Sequence, residues 1–166
     1  GGTAMNNIAD VTMTGEAAGN YFGYSVSDAG DVNGDGYSDV IAGAFGYNAS
    51  TGRAYMYYGG TAMNNIADIT INGEIASANF GVSVSGAGDV NGDGYSDVIV
   101  GANGYNSNTG RSYLYTNTLS GDDIADVTVT GVGSEYNFGI SVSGAGDVNG
   151  DGYSDVIVGA SVYSSH

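Results

Sequence analysis

A nine-residue segment rich in aspartate occurs three times in this sequence without a single change. Its copies, Asp-Val-Asn-Gly-Asp-Gly-Tyr-Ser-Asp, occupy residues 31–39, 89–97 and 147–155. The interval is constant, 89 − 31 = 147 − 89 = 58, and residues 1–10 return unchanged at 59–68. The chain is therefore built from 58-residue units, each of which is expected to fold alike and to pack on its neighbours.

Each copy of the segment carries side-chain oxygens at positions 1, 3, 5 and 9, with a backbone carbonyl available at position 7. Three of these groups are carboxylates, which repel one another unless a positive charge lies between them. Glycines at positions 4 and 6 let the backbone curl so that the oxygens converge. Such an oxygen cage suits a hard cation, and Ca²⁺ accepts six to eight oxygen ligands. The sequence predicts one Ca²⁺ per loop, three per chain, with these ligands: Asp31, Asn33, Asp35, Tyr37 (carbonyl), Asp39, Asp89, Asn91, Asp93, Tyr95 (carbonyl), Asp97, Asp147, Asn149, Asp151, Tyr153 (carbonyl) and Asp155.

Two other interpretations explain the segment less well. Asn-Gly and Asp-Gly pairs also mark hairpin turns, but a turn alone does not explain three carboxylates within nine residues. An EF-hand requires a glutamate at position 12 of the loop, and that position holds Ala42, Val100 and Val158. A calcium loop between strands is therefore the favoured interpretation.

Each unit contains four short segments of strand character separated by glycine-rich turns. In the first unit they are residues 8–14, 24–27, 40–44 and 53–58. The first and last alternate apolar and polar residues, which predicts half-buried strands, and 8–14 is expected near the outside of a sheet. The unbroken apolar run at 40–44 predicts burial on both faces, and with 24–27 it is expected in the sheet interior. No segment shows a useful helical period, so the fold class is predicted to be all-β.

Four antiparallel strands per unit, stacked on the next unit, predict the blades of a β-propeller. The chain is then one repeat domain, 1–166, with three blade units at about 1–58, 59–116 and 117–166. Because 166 − 116 = 50, the last unit is eight residues short and is expected to lack its third strand. The chain opens on what would be the outermost strand of a preceding or closing blade.

The order of motifs within a unit resembles the FG-GAP repeat of the integrin α-subunit head and its bacterial and fungal relatives. In the first unit this order is Phe-Gly at 22–23, Ser-Val-Ser at 25–27, the acidic loop at 31–39 and Val-Ile-Ala-Gly-Ala at 40–44. The resemblance implies a propeller of about seven blades, with Ca²⁺ held on those loop residues between a blade's first two strands. The proline of the family name is absent from all three units.

Composition excludes several classes of function. The chain has 18 acidic residues against two arginines and a formal charge of −16, which three Ca²⁺ ions would change to −16 + 6 = −10. No basic patch exists to neutralise phosphates, so neither nucleic acid nor an anionic membrane is expected as a partner, and no apolar run predicts membrane insertion. There is no cysteine or lysine, and the only histidine is His166, so no nucleophilic triad can be assembled and no enzyme is expected.

The leading functional prediction is a calcium-binding propeller that serves as an extracellular binding or adhesion scaffold, since calcium is plentiful outside cells. One alternative is a lectin, in which aromatic and amide side chains near the turns bind sugar: Tyr47, Asn48, Tyr105 and Asn106. A designed or recently amplified repeat without a natural ligand is another. Three blades are too few to close a ring, because propellers have about four to eight. Either two copies form a six-bladed homodimer or the chain is part of a longer propeller, and a protein or glycan ligand is expected.

Overall fold

A computed structural model describes residues 7–116 and 124–161 of the protein. Its elements in chain order are β1 (Ser25–Gly30), β2 (Asp39–Ala44), α1 (Tyr47–Ser50), β3 (Arg53–Tyr57), β4 (Ile69–Asn72), β5 (Ser83–Gly88), β6 (Asp97–Ala102), α2 (Tyr105–Asn108), β7 (Arg111–Tyr115), β8 (Val127–Thr130), β9 (Phe138–Gly146) and β10 (Asp155–Ala160). The two segments α1 and α2 are single turns of four residues. The all-β prediction is confirmed.

The strands form three antiparallel sheets that correspond to propeller blades. The first has the order β1-β2-β3-β4, the second β5-β6-β7-β8, and the third consists, among the described residues, of β9 and β10. The fourth strand of each complete sheet comes from the start of the following unit. The sheets stack in chain order, with β5 lying against β1 and β9 against β5. The described sheets do not close a ring.

Two expectations about individual strands are wrong. Residues 8–14 lie in no strand, whereas their counterparts β4 and β8 pair with the third strands β3 and β7. A fourth strand needs a third strand beside it, and no described strand precedes residues 8–14. The strand after the Phe-Gly motif, β1 or β5, lies at an edge of its sheet rather than inside it. The interior position belongs to the aromatic strand β3 or β7, which pairs on both sides.

The turns α1 and α2 have an unusual backbone. Three successive residues in α1, from Asn48 to Ser50, have φ between 47° and 60°, and α2 repeats this pattern. This is the left-handed region, which asparagine tolerates better than most residues and β-branched residues avoid. The turns connect β2 to β3 and β6 to β7, at the end of each sheet opposite the aspartate loop.

The core lies between the first two sheets. Ile41 and Met56 of the first sheet are buried there together with Val100 and Tyr113 of the second sheet and with Phe80, which precedes β5. Phe80 belongs to the Phe-Gly motif, and its N–H donates to the carbonyl of Thr51 at 3.2 Å while its ring packs edge-on against Tyr113 at 5.1 Å. Phe138 makes the same bond to Thr109 at 3.3 Å, so the motif anchors the second and third blades to the turn of the preceding one.

Candidate functional site

The three aspartate segments form the loops between the first two strands of each sheet, where the resemblance places them. In the first loop Gly34 and Gly36 have φ of 76° and 89°, and the equivalent glycines of the other loops match them. Non-glycine residues rarely adopt this conformation. The two glycines therefore allow the loop to curl back over its own first aspartate.

Asp31 is the residue around which its loop folds. Its Oδ1 accepts hydrogen bonds from the N–H groups of Gly34 at 2.7 Å and Asp35 at 3.1 Å, and its Oδ2 accepts one from Gly36 at 2.8 Å. Asp89 and Asp147 make the same three bonds. Hydrogen bonds to the ionised form, with that from Gly152 the largest, lower the pKa of Asp147.

Asn33 and Asp35 extend the same network. The Asn33 Oδ1 accepts the N–H of Asp35 at 2.8 Å, and the Asn33 amide donates to Asp35 Oδ2 at 3.1 Å. Asp35 Oδ1 accepts the N–H of Tyr37 at 2.9 Å. The loop carboxylates are thus directed at the loop's own polar hydrogens.

Asp39 closes the loop from a fully buried position at the start of β2. Burial raises its pKa, and the nearby charges of Asp35 and Asp31 raise it further, whereas its bonds to the N–H groups of Gly59 and Val32 lower it. Asp97 is equally buried, and Asp155 is half-buried. In the first loop, Asp39 is therefore the carboxylate that would gain most from a partner of opposite charge.

The structure brings each predicted ligand set into one loop but not into a coordination shell. Within residues 7–116 and 124–161, no group of three or more acidic, histidine or cysteine side chains has metal-binding geometry. The donor chemistry suits Ca²⁺, since every ligand is an oxygen and each loop has three carboxylates. The assignment of these residues as ligands stays a prediction.

Among the described residues, no basic side chain neutralises the loops. The two arginines of the sequence form salt bridges elsewhere, Arg53 with Glu16 at 2.7 Å and Arg111 with Glu74 at 3.0 Å. Both lie at the end of the sheet where the third strand begins, away from the aspartates. The acidic loops are thus left to hydrogen bonds, water or cations for their stabilisation.

The tyrosines expected to stack on sugar are occupied by these same arginines. The Arg53 guanidinium carbon lies 3.8 Å from the centre of the Tyr47 ring. The Arg111 guanidinium carbon lies at the same distance from the centre of the Tyr105 ring. One face of each ring is therefore covered, as expected for a cation–π contact. Asn48 and Asn106 are located at the left-handed turns, and both are exposed.

A further aromatic cluster, which the sequence patterns did not predict, lies near the first turn. Tyr21 stacks on Phe45 with 4.7 Å between ring centres, and Tyr24 packs edge-on against Phe45 at the same distance. Tyr21 and Tyr24 are 58% and 64% exposed. The second unit has Asn79, Val82 and Asn103 at these positions. Aligning the units would have shown that the aromatic residues are specific to the first.

A family model described as FG-GAP repeat matches residues 22–57, 80–115 and 138–165. The chain belongs to the FG-GAP repeat family. Each FG-GAP match begins at the phenylalanine of the Phe-Gly motif and includes one aspartate loop. The recognition of the family from its motifs is confirmed.

Proteins similar to this chain include integrin α subunits. Integrin alpha-5 of Xenopus laevis is 34% identical over 109 residues, covering 61% of this chain and 10% of the integrin. Integrin alpha-PS3 of Drosophila melanogaster is 41% identical over 92 residues (53% and 8%), and integrin alpha-6 of Homo sapiens is 40% identical over 93 residues (53% and 8%). The FG-GAP chain thus spans about a tenth of the length of these relatives.

Two sequence-based exclusions concern membranes and catalysis. Among the described residues, no helix combines the length and apolarity that crossing a membrane requires. His166, the only histidine, lies outside the described residues. The expectation that the chain is not an enzyme stays a prediction.

Proposed function

We propose that this FG-GAP chain is a calcium-stabilised propeller segment that acts as an extracellular binding or adhesion scaffold. The observation that carries the proposal is the concentration of negative charge in the loops, which neither arginine of the sequence neutralises. Each has three carboxylates, and both arginines of the sequence are paired with glutamates at the other end of the sheet. Without a cation, the buried Asp39 lies near the like charges of Asp31 and Asp35.

The residues that would hold Ca²⁺ in the first loop are the side chains of Asp31, Asn33, Asp35 and Asp39 and the carbonyl of Tyr37. The ion would supply positive charge and no catalytic chemistry. Because Asp31 follows β1 and Asp39 begins β2, these residues tie together the ends of two paired strands. Each loop then acts as a structural clamp, and binding energy adds to folding stability.

The adhesion part of the proposal is supported by similarity to the integrin α subunits. It is also supported by what the sequence lacks, since no cysteine or lysine is present to serve as a nucleophile. The proposed location is the cell exterior or cell surface, and the proposed ligand is a protein bound to an exposed face of the propeller.

Calcium binding is tested by titrating the metal-free chain with Ca²⁺ in a calorimeter and with Tb³⁺, whose luminescence the loop tyrosines can sensitise. The expected stoichiometry is three ions per chain, falling to two in Asp35→Asn. Asp28→Asn is the matched control, because it removes the same charge from an exposed residue just before the loop. A stoichiometry of zero, or equal loss in the control, would contradict the proposal.

A second candidate function is carbohydrate binding, which the exposed cluster of Tyr21, Tyr24 and Phe45 favours. Exposed aromatic rings offer flat apolar faces of the kind that stack on the C–H groups of a pyranose. A glycan array followed by titration of Tyr24→Ala is the test. Binding that Tyr24→Ala weakens at least about tenfold would support a lectin, while a protein ligand without any glycan signal would favour the scaffold.

A further inference from the structure

The same backbone hydrogen bond joins each pair of neighbouring aspartate loops. The N–H of Ser96, in the second loop, donates to the carbonyl of Asp31, in the first loop, at 2.9 Å. The N–H of Ser154, in the third loop, donates to the carbonyl of Asp89, in the second loop, at the same distance. The two bonds occupy identical positions in the repeat, so this contact is a property of the unit rather than of one blade.

A tyrosine of the later loop packs on the earlier loop beside this bond. The Tyr95 ring covers Gly34 so closely that a Cβ there would collide with it, and Tyr153 covers Gly92 in the same way. Because glycine has no side chain, the two loops can approach closely enough for the hydrogen bond to form. The conformation of one loop therefore constrains that of the next.

The hydrogen bond between two loops lies in the middle of a longer path through their backbones. The N–H of Ser96 belongs to the same peptide group as the carbonyl of Tyr95, which is the backbone ligand proposed for the second loop. The carbonyl of Asp31 belongs to the same peptide group as the N–H of Val32, which donates to Asp39 Oδ2 at 2.9 Å. Two peptide groups thus connect the proposed backbone ligand of one loop to the buried carboxylate of the preceding loop.

The second and third loops repeat this path. It begins at the carbonyl of Tyr153 and ends where the N–H of Val90 donates to Asp97 Oδ2 at 2.7 Å. Asp39 and Asp97 are both buried, so the carboxylate end of each path is shielded from water. Hydrogen bonds in a chain polarise one another, and each is electrostatically stronger away from water. A positive charge on the carbonyl end therefore strengthens every donor along the path.

We propose that the aspartate loops bind calcium with positive cooperativity between neighbours along the stack. When the Tyr95 carbonyl engages a cation, its peptide group becomes fixed, and the N–H of Ser96 becomes a stronger donor to Asp31. The first loop is then already ordered when its own ion binds, so less conformational entropy is lost there. By reciprocity, an ion in the first loop favours binding in the second by the same factor. This inference rests on the proposed calcium clamp and deepens it by naming how one loop regulates the next.

Charge acts in the opposite direction, because filling one loop weakens the attraction that its carboxylates exert on the next ion. A loop with three carboxylates and one Ca²⁺ still has a net charge of −3 + 2 = −1, so a filled loop does not repel the next ion. Salt at about 150 mM screens exposed charges over a distance of about 8 Å and leaves hydrogen bonds between the loops intact. Titration at this ionic strength therefore reports mainly the contact between the loops.

The test is calcium titration of three variants that each inactivate one loop by the same substitution. Asp35→Asn and Asp151→Asn each leave two loops that are joined by the path. Asp93→Asn leaves the first and third loops, which share no hydrogen bond among the described residues. In the first two variants the intrinsic affinity for the second ion should be about fivefold higher than for the first, giving a Hill coefficient of about 1.4. Asp93→Asn is the matched control and should give a Hill coefficient of about 1.

The path itself is tested by amide NMR of the double variant Asp35→Asn, Asp151→Asn, in which only the second loop can bind calcium. Adding Ca²⁺ should move the amide proton of Val32 downfield, although Val32 lies in an inactivated loop, because the path runs from the second loop to the first. Val148 is the matched control. Its N–H donates to Asp155 Oδ2 at 2.9 Å, but the path from the second loop does not lead to it.

Equal Hill coefficients in the three single variants, or values of 1 or less in both Asp35→Asn and Asp151→Asn, would overturn the proposal. So would equal shifts, or no shift, of the Val32 and Val148 amide protons. Circular dichroism of every variant in chelator should match that of the wild type, which separates lost coupling from a lost fold. Failure of the calcium clamp itself is distinguishable, because the wild-type chain would then take up no calcium and both proposals would be wrong.

Discussion

The buried carboxylate of Asp39 accepts a hydrogen bond from the N–H of Gly59, twenty residues further along the chain, at 2.7 Å. Gly59 lies just after β3, so the last residue of the first aspartate loop also fixes the chain that leaves the third strand. The other carboxylate oxygen of Asp39 accepts a hydrogen bond from the N–H of Val32, inside the loop, at 2.9 Å. One side chain therefore couples the candidate metal loop to the outer half of the blade.

Removing that side chain should destabilise the fold even without metal. In Asp39→Ala the N–H groups of Gly59 and Val32 lose their acceptor, and an unsatisfied buried group costs about 1–3 kcal/mol. Urea unfolding in a chelator should show a loss of this size or more. Asp35→Ala, in the exposed part of the same loop, is the control and should lose less than about 1 kcal/mol. Equal losses would show that Asp39 has no such coupling role.

The close approach of neighbouring sheets at Gly43 should not tolerate a methyl group. Gly43→Ala places a Cβ against the carbonyl of Gly81, and relieving such overpacking typically costs about 1–3 kcal/mol. Gly159→Ala is a matched control, because the same position in the third sheet meets most closely the movable Ser141 hydroxyl of its own sheet. Thermal unfolding should separate the two variants. If the two alanine variants have the same melting temperature, the first and second sheets are not packed as closely at Gly43 as the structure shows.

Removing the hydroxyl group should change the stability of the protein differently at two equivalent tyrosines, Tyr55 and Tyr113. Tyr55 donates to Glu16 Oε1 at 3.0 Å, so Tyr55→Phe should cost about 0.5–1.5 kcal/mol. The hydroxyl of Tyr113 is buried without a hydrogen-bond partner among the described residues, so Tyr113→Phe should be neutral or stabilising. Chemical denaturation of the two variants provides the comparison. The opposite order would mean that Glu74 or a water molecule satisfies Tyr113.

The raised pKa of Tyr55 should also lower the free energy of unfolding in alkaline solution. Burial, followed by the hydrogen bond and the charge of Glu16, raises its pKa to about 12, against about 10 in the unfolded chain. Below pH 10 Tyr55 is protonated in both the folded and the unfolded state, so its full contribution to the free energy of unfolding is present. Between about pH 10 and 12 only the unfolded state loses the proton, so the free energy of unfolding decreases. Tyr55→Phe should show a shallower decrease across this range, and identical slopes would contradict the shift.

The sequence was sufficient to predict the repeat, the all-β class and the position of the acidic loops, because these depend on local patterns that recur three times. It did not reveal that residues 8–14 lack a strand, since pairing depends on a neighbouring strand rather than on their own alternation. The edge position of β1 could not be predicted for a similar reason, because the residues of a strand do not determine which strands pair with it.

The remaining features of the site depend on contacts between distant residues. The stacking of Arg53 on Tyr47 joins β3 to the left-handed turn, and neither residue type predicts that backbone. The burial of Asp39 depends on the chain at Gly59, in the following unit. Ile157 is 61% exposed and Ile99, its counterpart in an identical local sequence, is 2% exposed, because among the described residues no further sheet packs on the third.

The central claim, that calcium clamps the aspartate loops, is tested most directly by thermal unfolding in millimolar calcium and in chelator. The wild type should melt at a higher temperature in calcium, gaining about 2.7 kcal/mol per site when calcium exceeds the dissociation constant by about a hundredfold. The triple variant Asp35→Asn, Asp93→Asn and Asp151→Asn should lose most of this gain. A wild-type melting temperature that is the same in calcium and in chelator would contradict the account.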